Sequence, residues 1–221
     1  MGQQLQVQAL QVDIVSDVVC PWCIIGYKQL MLALSSMPGQ FEVAIHWHPF
    51  ELNPQMPEDG QPLREHLAQK YNRSPEQSQA ARMRLTALGE SLGFTFDYFD
   101  DMRMVNTFRA HQLLHWAGER GLQTALKLDL FEAFFTRGED VNAPDVLVAV
   151  AARAGLDGTE ARLVLSDQRY AGEVRAQQQH WLEQDVHAVP TFVFQRHYSV
   201  PGAQEAESFI RLLKKIQMRA V

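Results

Sequence analysis

Cys20 and Cys23 are the only two cysteines in this 221-residue chain, and they stand three positions apart in Cys20-Pro21-Trp22-Cys23. On a helical turn that spacing brings two sulfurs close enough to bond without a large rearrangement. The pair can therefore cycle between dithiol and disulfide. Pro21 suits the first turn of a helix, where its missing N–H would have had no partner. Cys20 then lies at the helix N-terminus, where free N–H groups and the positive end of the helix dipole favour a thiolate, the attacking species. This reading makes Cys20 the nucleophile, with a pKa below the ~8.5 of a free thiol. Cys23, inside the helix and less exposed, becomes the thiol that resolves a mixed disulfide.

Three blander uses compete. A structural disulfide closing a four-residue loop is worth only about 1.9 kcal/mol and would be lost in a reducing compartment. A zinc site normally takes four ligands. The remaining ligands would have to be histidines, from the pair His46 and His48 on a strand or His111 and His115 on a helix, and neither pair adjoins the cysteines in sequence. The pair could also be inert. A Cys-x-x-Cys motif between a strand and a helix favours redox chemistry over all three.

The elements around the pair follow from hydrophobic period. Gln11 to Val19 is rich in Val and Ile and reads as a strand; Trp22 to Met37 reads as a helix stopped by Pro38-Gly39. Phe41 to Trp47 alternates as a second strand, parallel to the first if the helix is a crossover. His48 to Pro62 carries four prolines and reads as an irregular link. The period then becomes helical, with stretches at Leu63 to Tyr71, from the capping box of Ser74 and Gln77 to Gly93, from Asn106 to Gly121, and from Thr124 to Thr136. Others follow from Asn142 to Gly155, Thr159 to Leu165 and Tyr170 to Glu183. Strand character returns at Thr191 to Arg196, His197 to Val200 can pair back on it, and Glu205 to Met218 reads as a last amphipathic helix.

The order β-α-β, helical block, β-β-α defines an α/β thioredoxin fold with a large all-helical insertion. Residues 11–62 and 184–221 are its two halves, and 63–183 is the inserted domain. In such an arrangement the proline before the third strand, Pro190, is cis and faces the cysteines. The backbone of Val189, followed by Thr191, is then free to pair with an extended substrate.

A net charge of −6 with scattered basic residues argues against nucleic acid. The cluster Arg211, Lys214, Lys215 and Arg219 reads as a solvated helix face. No apolar run approaches the ~18 residues of a membrane span. The glutamine-rich start, Met1 to Leu10, has no secretory pattern, and Gln6 breaks a myristoylation motif. The expected setting is the cytoplasm, away from membranes, and the sequence carries no signal for oligomeric state.

Taken together, several stretches carry a resemblance. Asp17-Val18-Val19-Cys20-Pro21-Trp22-Cys23, His48-Pro49-Phe50-Glu51-Leu52-Asn53-Pro54 and Asn106-Thr107-Phe108-Arg109-Ala110-His111 are followed by Leu130-Phe131-Glu132-Ala133-Phe134-Phe135, Val189-Pro190-Thr191-Phe192-Val193 and Gly202-Ala203-Gln204. From about Val12 to Lys215 the chain resembles the DsbA-like thioredoxin family, in particular its FrnE-type cytoplasmic thiol oxidoreductases. The resemblance implies protein disulfide oxidoreductase or isomerase activity on protein or small-molecule thiol and disulfide substrates. No tightly bound cofactor and no metal are expected, with glutathione as a reductant or co-substrate. Trp22 stands where the periplasmic DsbA proteins carry histidine; a neutral indole places no positive charge beside the thiolate, so a less oxidising couple is expected. The related kappa-class glutathione transferases and 2-hydroxychromene-2-carboxylate isomerases tend to have serine at the position of Cys20. A glutathione-dependent isomerase or transferase is thus the alternative, and a non-catalytic peptide- or zinc-binding module a further one.

Other residues have quieter readings. His111 reads as a packed or solvated helix residue, because its local sequence supplies no orienting partner. Trp47, Trp116 and Trp181 read as core or cleft aromatics, and Met83, Met102 and Met104 as core filling rather than a substrate groove. Asp100-Asp101 and Glu139-Asp140 read as loop carboxylates that solvate or cap helices.

Overall fold

The computed structural model describes residues 7–72 and 74–219. The first six residues of the glutamine-rich start, and the last two of the 184–221 half, lie outside that range. The central sheet has four strands in the order β2-β1-β5-β6: β1 is Gln8–Ser16, β2 Phe41–Pro49, β5 Thr191–Phe194 and β6 Tyr198–Pro201. β1 pairs parallel with β2 and antiparallel with β5, and β5 pairs antiparallel with β6. Helix α1, Pro21–Ser35, joins β1 to β2 and packs against the closing helix α9, Ala206–Arg219. A mixed α/β thioredoxin fold with a helical insertion results.

β1 is central, and its residues from Val12 to Ser16 are all buried, Asp13 included, which is why the stretch is rich in β-branched residues without a clean apolar–polar alternation. It ends at Ser16, short of the expected Val19. The chain turns there because the Asp17 carboxylate takes the Val18 N–H at 2.7 Å and the Asp17 carbonyl takes the Cys20 N–H at 3.3 Å. β2 extends to Pro49, two residues past the expected end. It is an edge strand, where a missing N–H breaks no ladder.

The helical block contains α2 (Leu63–Tyr71), α3 (Pro75–Ser91), α4 (Phe108–Gly118), α5 (Gln123–Phe135), α6 (Pro144–Arg153), α7 (Gly158–Asp167) and α8 (Ala171–Glu183). A two-stranded ribbon, β3 (Gln61–Pro62) with β4 (Arg103–Met104), closes the link before α2. Ser74 and Gln77 form the capping box of α3. Asn106 sits one position outside the N-cap of α4, which is Thr107; its Oδ1 accepts the Phe108 N–H at 2.9 Å.

The apolar core runs unbroken from the sheet into the block, through Ile14, Trp47, Phe131 and Leu113. The join is specific. The Gln123 side chain accepts the Trp47 N–H at 2.9 Å and donates to the Trp47 carbonyl at 3.0 Å, and the Trp47 indole N–H donates to Thr124 Oγ1 at 3.0 Å. The first turn of α5 is thereby fixed to β2. Trp47 and Trp116 are buried, whereas Trp181 is half-buried against His48. Met83 is 66% exposed, so core filling does not hold for it.

Candidate active site

Cys20 is the N-cap of α1, with an extended backbone and no side-chain cap on the helix N–H groups. Both cysteines are free thiols. Cys20 is 3% exposed and Cys23 fully buried. The Cys20 thiol donates weakly to the Val189 carbonyl, 3.8 Å away, and the Val189–Pro190 peptide bond is cis. Cys20, Pro21, Trp22 and Val189 line one cavity of about 340 Å³, with Trp22 half exposed at its rim. Pro190 and Thr191 are not part of its lining. The Pro190 carbonyl accepts the Gly202 N–H, and the buried Thr191 hydroxyl donates to the Ala188 carbonyl at 2.9 Å, turned away from the cavity.

Most of the rest of the cavity comes from the helical block, with Val19, Leu52 and Asn53 completing it. Leu63, Leu67, Met102, Met104 and Phe134 make it apolar; its cations are Lys70 and Arg82, with the His66 imidazole beside them and no carboxylate in the lining. Met102 and Met104 are therefore both buried and cavity-lining. Lys70 is held by the Leu52 carbonyl at 2.9 Å and Asn53 Oδ1 at 2.6 Å. Burial and the Lys70 charge hold the His66 imidazole below its ordinary pKa.

Beneath the dithiol lies a buried polar cluster that sequence reasoning did not assemble. Asp17 is 1% exposed; Oδ1 accepts the Val18 N–H and faces His111 Nε2 at 3.3 Å, while Oδ2 accepts the Leu52 N–H at 2.7 Å. His111 Nε2 also lies 3.0 Å from the Phe50 carbonyl. His111 is packed, as expected, but it has an orienting partner that is 94 positions away in sequence. Lys127 is 1% exposed, with its ammonium 5.4 Å from the centre of the Trp47 ring and 5.0 Å from that of Phe131. A signal for it existed: Lys127 stands three before Leu130 and four before Phe131, on the apolar stripe of α5. A lysine in such a stripe is either tilted out to solvent or buried for a reason.

The two sulfurs titrate as a unit. The hydrogen bond with Cys23, then burial, push the Cys20 thiol well up. Burial also penalises a Cys23 thiolate, but the hydrogen bond from Cys20 and the charge of Lys127 outweigh it and bring Cys23 down. The helix N-terminus was expected to favour the Cys20 thiolate; within the pair the Cys20–Cys23 hydrogen bond raises Cys20 and lowers Cys23, and the Lys127 charge adds to the lowering at Cys23. Burial pushes Lys127 down to about 8, against the charges of Cys23, Asp17 and Cys20, which favour its protonated form. For Asp17, burial is outweighed by His111 and the Leu52 N–H, so its carboxyl lies below the ordinary value.

Of the four histidines considered as metal ligands, His46 is exposed and the other three are otherwise engaged. His48 pairs with Asp13 at 2.9 Å, His111 faces Asp17, and His115 Nδ1 meets Gln177 at 3.1 Å. Among the described residues no group of three or more His, Cys, Asp and Glu side chains is placed to hold a metal. No helix among them is long and apolar enough to cross a membrane.

A thioredoxin sheet interrupted by a helical block, with a Cys-x-x-Cys opening α1, defines a class, and comparison with known proteins gives the family. The chain belongs to the DSBA-like thioredoxin domain family, which matches residues 11–214. It is similar to a probable DsbA oxidoreductase from Streptomyces coelicolor, at 38% identity and a TM-score of 0.88, covering 93% of this chain and 89% of that one. The uncharacterized protein YwbO of Bacillus subtilis is 25% identical over 211 residues, 95% of this chain and 98% of that protein. The cytosolic disulfide reductase DsbM from Pseudomonas aeruginosa, solved with GSH, shares the fold at 16% identity and a TM-score of 0.62, over 95% of this chain and 99% of its own.

Proposed function

We propose that the protein is a thiol–disulfide oxidoreductase with Cys20 as nucleophile and Cys23 as resolving thiol. The observation that carries this reading is a pair of free, hydrogen-bonded thiols of which Cys20 alone lines the cavity. Transfer of one proton from Cys20 to Cys23 puts the shared negative charge on the accessible sulfur. The Cys20 thiolate attacks a substrate disulfide, forming a mixed disulfide and releasing one substrate thiolate. Cys23 then gives up its proton and attacks Cys20; the Cys20–substrate bond breaks and the second substrate thiolate leaves. Two electrons have passed from enzyme to substrate. Run in reverse, the same steps oxidise a dithiol.

Val189 offers backbone to an extended substrate, and the cavity beside it accepts a small thiol. Glutathione fits as reductant or co-substrate, with no tightly bound cofactor. A cytoplasmic setting accords with this reading, since a reducing compartment keeps such a pair as thiols.

The test is alkylation against pH with thiol–disulfide titration, on the wild type and on Cys20→Ser and Cys23→Ser. The pair should lose its first proton below the ~8.5 of a free thiol, and Cys23→Ser should trap a mixed disulfide that Cys20→Ser does not form. An ordinary thiol pKa with no redox cycling would leave a binding module. Glutathione-dependent turnover that survives Cys20→Ser would make the protein an isomerase or transferase.

A further inference from the structure

The cavity in front of Cys20 has a polarity that disulfide exchange alone does not require. Its floor is carbon: Leu63, Leu67, Leu85, Met102, Met104 and Phe134. The polar groups above that floor include three donors with capacity left over. Arg82 of α3 is half-buried, and among the described residues no carboxylate or carbonyl takes its N–H groups. Lys70 of α2 gives two protons to the Leu52 carbonyl and Asn53 Oδ1, and an ammonium has a third. Tyr98, in the link between α3 and β4, is stacked on Phe96 at 5.8 Å and set edge-on to Phe135 at 6.4 Å. Burial keeps its hydroxyl protonated, and among the described residues that hydroxyl has no hydrogen-bond partner.

No carboxylate lines the cavity. The open groove on the other side of Arg82 carries Glu90, Asp97 and Asp100, but among the described residues none of them pairs with Arg82, and Asp100 pairs with Arg64. A guanidinium taken partly out of water without a counter-charge is costly, and its planar fork matches a carboxylate. At about 340 Å³ the cavity is at the small end of the ~300–1,000 Å³ that ligand cavities span. Its carbon floor disfavours a polar body, because amide or ammonium groups buried there would lack partners. Resting on the thiol–disulfide reading above, we propose that the small-molecule substrate of Cys20 is an apolar thiol or disulfide that carries a carboxylate. Arg82, Lys70 and the Tyr98 hydroxyl bind the acid group, the carbon floor takes the chain, and the sulfur end meets Cys20.

The acid group does not react. With a cyclic disulfide, the Cys20 thiolate breaks the ring S–S bond and forms a mixed disulfide, and the freed substrate sulfur takes a proton. Cys23 loses its proton and attacks Cys20, the Cys20–Cys23 bond forms, and the second substrate thiolate leaves. Two electrons pass to the substrate. With the corresponding dithiol the same steps run backwards and reduce the Cys20–Cys23 bond.

The test uses an isosteric pair: dihydrolipoate, an apolar dithiol ending in a carboxylate, and its neutral amide, dihydrolipoamide. Stopped-flow rate constants are measured for reduction of the oxidised full-length protein by each. The acid should react about tenfold faster or more, the worth of one charge-assisted hydrogen bond. A ratio near one, or a preference for the amide, overturns the proposal. Arg82→Gln, Lys70→Met and Tyr98→Phe should each pull the ratio toward one. Arg211→Gln, which removes the same charge from the exposed side of α9, should keep it. A ratio unmoved in all three cavity variants also overturns the assignment.

Octanoate reads the cavity with neither a variant nor a redox step. It should protect Cys20 of the reduced wild type from iodoacetamide at concentrations where octanamide does not. Equal protection by the two, or none, overturns the acid site. If neither dithiol reduces the protein while octanoate still protects, the thiol–disulfide reading is what fails. The substrate role then falls with it, and the acid-binding cavity stands.

Discussion

Replacing Asp17 by asparagine removes one charge and one acceptor from the buried cluster under the dithiol. Oδ1 serves the Val18 N–H and His111, and Oδ2 serves the Leu52 N–H. An amide has a single oxygen, so its NH₂ must point at one of these donors. The loss is a charge-assisted bond worth about 1.5–3 kcal/mol, and a buried N–H left unpaired adds about 1–3 kcal/mol. Relief of the desolvated charge returns part of this. A net destabilisation of roughly 3 kcal/mol follows, or about 6–12 °C in Tm at about 2–4 °C per kcal/mol for a chain of this size. Urea denaturation at neutral pH measures it, with an unchanged slope as the check that the same transition is followed. The pH dependence has a definite sign. The folded Asp17 carboxyl lies below its ordinary value of 3.8, so its stabilisation is complete above the unfolded pKa and is lost as pH falls through the folded one. The gap between wild type and Asp17→Asn should be constant near neutrality and shrink only in acid, below about pH 4. A loss under ~1 kcal/mol, or a gap that persists unchanged into strong acid, would refute the reasoning.

Two further substitutions probe the fold and the couple. A Cβ added at Gly26 would lie 2.9 Å from Phe192 Cζ and 3.4 Å from Ala203 Cα, and the Phe192 ring is itself wedged against Phe209, with 5.0 Å between centroids. Gly26→Ala should therefore cost about 1–3 kcal/mol of overpacking against about 1 kcal/mol gained in helix propensity; a net gain on chemical denaturation would show that the ring can yield. The neutral Trp22 predicts a reduction potential below the roughly −120 mV of the most oxidising relatives, and Trp22→His should raise it by about 30 mV or more, a tenfold change in equilibrium constant. Equilibration with glutathione buffers measures both, and a wild-type value near −120 mV or an unmoved variant contradicts the argument.

The fold was largely legible because its signals are local. The β-branched run of β1, the capping box at Ser74, the glycine and proline stops, and the strand after Pro190 each carry their own physics within a few residues. The boundaries that moved did so through contacts that hydrophobic period does not show: β1 stops at Ser16 because Asp17 takes the Val18 and Cys20 N–H groups, and β2 continues to Pro49 because it lies at an edge. At the site, Cys20 and Cys23 were visible from spacing alone. The cluster beneath them was not, since Asp17, His111 and Lys127 meet only when α4 and α5 pack on the sheet. How the two sulfurs share their charge was not legible for the same reason. The helix terminus is encoded locally, whereas the buried cation comes from over a hundred positions away. Lys127 interrupting an apolar stripe was the one trace of it in the sequence.

The clasp between Gln123 and Trp47 does more than fasten α5. β2 is an edge, and an edge strand with free N–H and C=O groups is a template on which another chain can add a strand. By occupying both backbone groups of Trp47, the Gln123 amide acts there as a one-residue strand and closes the position to a neighbour. At the opposite edge β6 is only four residues long and ends in Pro201, which has no N–H to offer. Under the function proposed above, some backbone must stay open to an extended substrate, and an unguarded sheet would recruit indiscriminately. With both edges of the sheet restricted, the proposed pairing of a substrate with Val189 has little competition from the sheet itself.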